Sequence, residues 1–167
     1  MMPETGKSEP PLFSISLIKL ALMSICTAGL YELYWFYRSW KAIKAREASG
    51  IRPFWRACFA FFFCYQCFAK IRAQGESAGV EGKLPAGVLA VGWIAATMTW
   101  KLPDPYWWIS SLAFCFLLPA QAYANRINAA TMGHKPDARL DVWEWVVAMG
   151  GGLFIALALI GTFAPAP

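Results

Sequence analysis

A carboxylate within an apolar stretch is the first residue of this sequence that could carry chemistry. Glu32 lies in an apolar segment over about residues 12–37, which is otherwise interrupted only by Lys19. An ionisable side chain inside a membrane helix is costly and commonly marks an ion or proton pathway. The alternative is a structural acid paired with Arg38 or with a neighbouring helix. We favour the structural interpretation, because Glu32 lies about one turn from the end of the apolar segment.

Three amide side chains form the second candidate group. Gln121, Asn125 and Asn128 follow i, i+4, i+7 spacing, which places them on one face of a helix. Such a stripe could line a polar cavity, or it could form the hydrogen bonds that hold neighbouring helices together, which we favour. We also expect Glu32 to point into the bundle and to contact the helix that carries the amides, because an unpaired carboxylate in hydrocarbon is costly. The donors available at that depth are Gln121 and Asn125, or the guanidinium of Arg38 or Arg126.

A basic cluster follows the first apolar segment, and only Glu47 opposes it. The cluster consists of Arg38, Lys41, Lys44, Arg46, Arg52 and Arg56. A basic loop beside an apolar helix is typical of the cytoplasmic side, where it faces anionic lipid or an acidic surface of a partner. Nucleic acid is the competing ligand of a basic patch. We expect none here, because a bilayer already explains the position of the cluster.

The cysteines and the histidine predict no reactive site. Cys64 and Cys67 have Cys-x-x-Cys spacing, but redox relays of this kind need a second pair, and the other cysteines are scattered. Cysteine is also an ordinary small apolar residue of buried helices. His134 is the only histidine, whereas a metal site needs several converging ligands. We therefore expect no catalytic residue, no cofactor and no metal site, in a protein that is not an enzyme.

The composition indicates the elements that must position these side chains. The chain has 167 residues, of which 58% are hydrophobic and 15% are charged. Soluble domains carry about half and about a quarter, respectively. A water-soluble core of this size could not bury so much apolar surface, so the composition favours a helical protein in a lipid solvent.

Five apolar segments divide the chain, and a span needs roughly 20 residues. We expect spanning helices over about residues 15–37, 84–100, 106–124 and 144–163. The segment over about 54–71 has an uncharged run of only 13 residues and predicts a short interfacial or re-entrant helix. Lys70 and Gln74 share one polar sector with Arg52, Arg56 and Gln66 if that helix continues. The predicted fold is an all-α polytopic transmembrane bundle in a single domain.

The distribution of Lys and Arg tests the placement of the short helix. If that helix stays on the inner face, three basic loops share the cytoplasmic side: residues 38–56, 70–83 and 126–139. They hold 12 of the 15 Lys and Arg, which leaves Lys7, Lys19 and Lys101 outside. If the helix spans, the division is 7 to 8, without bias. The positive-inside rule therefore favours four spans.

Three motifs carry a resemblance to a known family. They are residues 29–38 (GLYELYWFYR), residues 53–57 (PFWRA) and the pattern P-x-Q-x3-N-x2-N from Pro119 to Asn128. In these motifs the chain resembles a family of small bacterial membrane proteins catalogued only as a domain of unknown function. The resemblance implies a multi-pass protein of the inner (cytoplasmic) membrane. It implies no activity and no functional residues.

The function expected from these features is a non-enzymatic component or scaffold. It would associate with membrane lipid, with a membrane protein partner or with another copy of itself, through the basic cluster. The alternative is a carrier of a small solute or ion that uses Glu32 and the amide stripe. A carrier would keep a polar pocket between its helices, whereas a scaffold would be dry between them.

Overall fold

The computed structural model describes residues 12–103 and 106–163. In this part of the chain the regular elements are helices without a strand, which confirms the all-α prediction. The α-helices are α1 (Leu17–Cys26), α2 (Leu30–Glu47), α3 (Pro53–Cys58), α4 (Ala60–Ser77), α5 (Ala86–Met98), α6 (Leu118–Met132) and α7 (Val142–Phe163), and two 3₁₀ helices are Thr99–Lys101 and Tyr106–Phe116. Judged on the described residues, none of these helices is both long enough and apolar enough to cross a membrane.

The first apolar segment is broken into two helices. Ser16 caps α1 by accepting a hydrogen bond from the backbone N–H of Lys19 at 3.2 Å. Ala28 and Gly29 then adopt left-handed backbone angles, with φ of 49° and 89°, which end α1 and reverse the chain. Thr27 connects the two helices, because its hydroxyl accepts from the N–H of Tyr31 at 2.9 Å. The prediction of one continuous helix over 15–37 is therefore wrong.

Lys19 joins the start of α1 to the start of α7. Its ammonium lies 2.7 Å from the Glu144 carboxylate and 3.3 Å from that of Asp137. It also donates to the carbonyl of Arg139 at 2.7 Å. The prediction that Lys19 lies on the opposite side from the loop 126–139 is therefore wrong. The reason is the chain reversal after α1, which the sequence-based topology did not include.

The second apolar segment also forms two helices, where one over about 54–71 was expected. Phe59, with φ −98° and ψ 40°, separates α3 from α4. The guanidinium of Arg56 lies 4.4 Å above the ring of Trp40 and 5.1 Å above that of Phe63. This cation therefore packs α3 against α2 and against the first turn of α4.

α4 runs parallel to α2 through the bundle. Near the start of both helices, Trp93 of α5 donates to Glu32 at 2.5 Å, and its ring lies 5.3 Å from that of Phe61. Near the end of both helices, Arg46 donates to Gln74 at 3.5 Å. α3 must therefore carry the chain back along α2 before α4 begins. α3 and α4 thus run along α2 in opposite directions, and α4 extends through the bundle.

An aromatic cluster fills the centre of the fold. Trp35 and Phe36 of α2 are fully buried, as is Phe68 of α4. The Phe36 ring lies 4.9 Å from that of Trp93 and 6.0 Å from that of Phe68. These distances are typical of favourable edge and tilted ring contacts. The cluster holds α2, α4 and α5 together and sets the positions of the polar side chains beside it.

α7 packs on α1 and exposes most of its described large apolar side chains. A Cβ at Gly151 would overlap the carbonyl of Cys26, so the two backbones touch at that point. The large side chains that α7 leaves exposed are Val142, Trp143, Trp145, Val146, Val147, Met149, Leu153, Phe154, Leu157 and Ile160. They cover several faces of the helix, so α7 is not an ordinary amphipathic surface helix.

Candidate functional site

Glu32 lies inside the bundle with one carboxylate oxygen paired. The side chain is 3% exposed, and Oε2 accepts the indole N–H of Trp93 at 2.5 Å. Oε1 has no hydrogen-bond partner among the described residues, although the backbone N–H of Phe114 faces the carboxylate. The prediction that Gln121 and Asn125 supply its donors is wrong. Trp93 of α5 takes that role, whereas Gln121 of α6 is engaged by Trp35, three residues further along α2.

The three amides of α6 make other contacts. Gln121 Oε1 accepts the indole N–H of Trp35 at 2.6 Å, and its Nε2 donates to the carbonyl of Phe13 at 3.0 Å. Asn125 Nδ2 donates to the carbonyl of Ile15 at 2.8 Å. Two of the three amides therefore bind the backbone of the segment that precedes α1.

Asn128 completes this arrangement at the end of the stripe. Its Oδ1 accepts from the N–H of Leu12 at 3.0 Å, and its Nδ2 donates to the carbonyl of the same residue at 2.9 Å. Residues 12–15 have no strand beside them, so these side chains satisfy backbone groups that would otherwise be buried and unpaired. Gln121, Asn125 and Asn128 thus hold the backbone of residues 12–15 in place, and we call these three amides the clasp. This arrangement favours a structural role over the lining of a solute cavity.

Two members of the basic cluster are engaged by aromatic rings. The Arg38 guanidinium lies 5.0 Å from the centre of the Phe13 ring, and that of Arg56 lies above Trp40 and donates to Gln66 at 3.4 Å. These cations hold elements together, and their hydrophobic contacts are as important as their charge.

The other four members are exposed, and one of them, Arg46, lines a cavity. Lys41, Lys44 and Arg52 lie on the surface, and among the described residues none of the three has an acidic partner. Arg46 lines a cleft between α2 and α4. The structure therefore separates the predicted cluster into ring-bound, surface and cleft positions.

The cleft has a volume of about 410 Å³, and its lining combines charge with buried polarity. Its lining residues are Arg46, Glu47, Ala69, Lys70, Ala73, Gln74 and Ser77. Lys70 contacts both oxygens of Glu47, at 2.6 and 2.7 Å. Gln74 accepts from Arg46 through Oε1, while its buried Nε2 has no hydrogen-bond partner among the residues that the structure describes. Sequence reasoning placed Lys70 and Gln74 in one polar sector but did not identify them as a site.

The thiols and the histidine do not converge. All five cysteines are free; Cys64 and Cys67 are buried in the core, and Cys58 and Cys115 are exposed. The described residues contain no group of three or more His, Cys, Asp or Glu side chains suited to a metal ion. His134 lies in the loop before α7, where its backbone N–H bonds the carbonyl of Asn128 at 3.3 Å.

Comparison with known proteins adds no relative to this geometry. The chain matches no protein-family model, no curated protein and no solved structure. The resemblance of residues 29–38, 53–57 and 119–128 to a family of bacterial membrane proteins therefore stays a prediction.

Proposed function

We propose that this chain is a small, non-enzymatic, multi-pass protein of the bacterial inner membrane that holds anionic lipid at its basic end. The basic end is the end of the molecule that, in this proposal, carries the loops 38–56, 70–83 and 126–139. The observation that carries the proposal is the exposure of α7. Trp143, Phe154 and Ile160 are 77%, 67% and 65% exposed, on a helix of 22 residues. In water this surface would be a large unburied apolar area, whereas in lipid it costs nothing.

Exposed aromatic residues of α3 and α4 also support a lipid environment. Phe54, Trp55 and Phe62 are 61%, 54% and 78% exposed. Phe54 and Trp55 lie between Arg52 and Arg56 along the chain. Aromatic rings beside basic residues are typical of the interface between hydrocarbon and headgroups.

The ion pair of Lys19 strengthens the charge argument for orientation. With Lys19 beside Asp137, the basic end of the proposed topology gains one cation, from 12 to 13 of the 15 Lys and Arg. Lys101 lies beyond α5, away from that end. The positive-inside rule then favours a cytoplasmic position for the basic end even more strongly.

Alkaline extraction of membranes tests the proposal. We expect the full chain, expressed in bacteria, to sediment with membranes and to stay there in sodium carbonate at high pH. Detergent should then release it. A known integral membrane protein and a known peripheral membrane protein calibrate the pellet and the supernatant. Recovery of the chain in the carbonate supernatant would overturn the proposal.

A further inference from the structure

The cleft between α2 and α4 combines a cavity with an unused buried donor. Gln74 is 7% exposed, and its Nε2 has no hydrogen-bond partner within the described residues. Its Oε1 faces the Arg46 guanidinium, so exchanging the amide atoms would set two donors against each other. The free –NH₂ therefore needs an acceptor. A buried donor left unpaired is costly, and a ligand in the cleft would relieve that cost.

The charges in the cleft define the ligand further. Glu47 neutralises Lys70, which leaves the charge of Arg46 uncompensated. The Ser77 hydroxyl donates to the backbone carbonyl of Gln74 at 2.9 Å and is not available as a donor. The lining therefore carries one net positive charge. It suits a ligand with one negative charge, whereas a dianion would be repelled by Glu47.

We propose that this cleft binds the phosphodiester of a phospholipid headgroup, with Arg46 and Nε2 of Gln74 donating to its phosphate oxygens. A phosphodiester carries one negative charge, and a guanidinium is the donor that best matches phosphate oxygens. The volume of about 410 Å³ accommodates a headgroup. This inference rests on the proposed function, because a lipid reaches the cleft only if the basic end lies at a membrane surface.

Lipid binding by charge-matched variants tests the inference. The full chain is purified in dodecyl maltoside and titrated with dioctanoylphosphatidylglycerol, with bound lipid counted by native mass spectrometry. We expect Arg46→Gln to weaken binding about tenfold, the loss typical of a charge-assisted contact. Lys44→Gln removes the same charge from the same turn of α2 but outside the cleft, so we expect a change below about twofold. Equal losses in both variants would show general surface attraction and overturn the site.

Further arms separate the source of the phosphate and the role of Gln74. Dioctanoylglycerol, which lacks phosphate, should not bind at the same concentration, and inorganic phosphate should not displace the lipid. Displacement by equimolar phosphate would overturn the lipid assignment. Gln74→Leu should also weaken binding, and circular dichroism checks its helix content. Arg46 is exposed, so its variant keeps the test valid if Gln74→Leu fails to fold. Carbonate extraction does not depend on these lipid titrations. A chain that stays in the membrane but shows no lipid binding in the cleft would therefore overturn the binding site and leave the membrane proposal intact.

Discussion

Side-chain amides pair the backbone groups of residues 12–15, where a neighbouring strand is the more usual partner. Residues 12–15 have no regular secondary structure, and four of their backbone groups are paired by Gln121, Asn125 and Asn128. A strand would normally supply these partners, and in a non-aqueous interior water cannot. Asn128 contributes most, because it binds both backbone groups of one residue, as a neighbouring strand does.

Removing that double contact should loosen the start of the chain. Asn128→Leu leaves the N–H and the carbonyl of Leu12 buried without partners, so we expect a loss of about 3 kcal/mol in unfolding free energy. Asn125→Leu removes the bond to the Ile15 carbonyl and the bond accepted from Gln121, which keeps its bond to Phe13; at this half-buried position the change should cost about 1 kcal/mol. Thermal unfolding in detergent ranks the two. A larger loss for Asn125→Leu would contradict the clasp.

The two partners of the hydrogen bond between Trp93 and Glu32 should differ in how much their substitution lowers the unfolding free energy. In Glu32→Gln the amide oxygen still accepts from the indole, so we expect the unfolding free energy to change by less than about 1 kcal/mol. Trp93→Phe leaves the buried carboxylate without that donor and should cost about 3 kcal/mol. Trp93→Phe in the Glu32→Gln background should cost less than it does alone. Additive losses would mean that the hydrogen bond between the two side chains contributes little.

The polar residues were predictable only in part. The i, i+4, i+7 spacing placed the three amides on one face correctly, because helix geometry alone determines that. Their partner is an extended backbone 108 to 116 residues away, and no spacing rule predicts such a contact. Gln74 was recognised only as polar. Its importance depends on the missing partner of Nε2, which only three-dimensional packing reveals.

At the scale of elements, two short interruptions determine the architecture. The turn at Ala28 and Gly29 reverses the chain after α1, and Phe59 ends α3. Sequence reasoning treated both stretches as continuous because their apolar residues are continuous. A glycine within a membrane segment is common and often leaves the helix intact. Here Thr27 bonds both helices, to the carbonyl of Met23 and from the N–H of Tyr31, and so stabilises the break.

Of the three consecutive glycines 150–152 in α7, only Gly151 should matter for the contact with α1. Gly151→Ala places a methyl group against the Cys26 carbonyl, so we expect a loss of about 2 kcal/mol and a lower thermal midpoint. Gly150→Ala is the matched control, because a Cβ there meets open space. It should raise stability by up to about 1 kcal/mol, the gain of alanine over glycine in a helix. Similar effects at both positions would rule out a close contact at Gly151.

At the scale of the whole molecule, the proposed basic end brings together the loops 38–56, 70–83 and 126–139. Single cysteines in a cysteine-free background, labelled in intact cells with an impermeant reagent, test this arrangement. We expect Ser77→Cys and Ala138→Cys to be protected and Lys101→Cys to be labelled from outside. Permeabilised cells show that each site is reactive. Labelling of Ser77→Cys and Lys101→Cys from the same side would contradict the proposed orientation.

The clasp between residues 12–15 and α6 also has a consequence for biosynthesis. Leu12 and Asn128 are 116 residues apart, and ribosomes make the N-terminal partner first. Until α6 is made, the polar backbone before α1 lacks the side chains that satisfy it. The nascent chain must therefore keep this segment hydrated, or covered by another protein, until α6 is in place. The hairpin of α1 and α2 can complete its packing only at that stage, so the first helices made are not the first to finish folding.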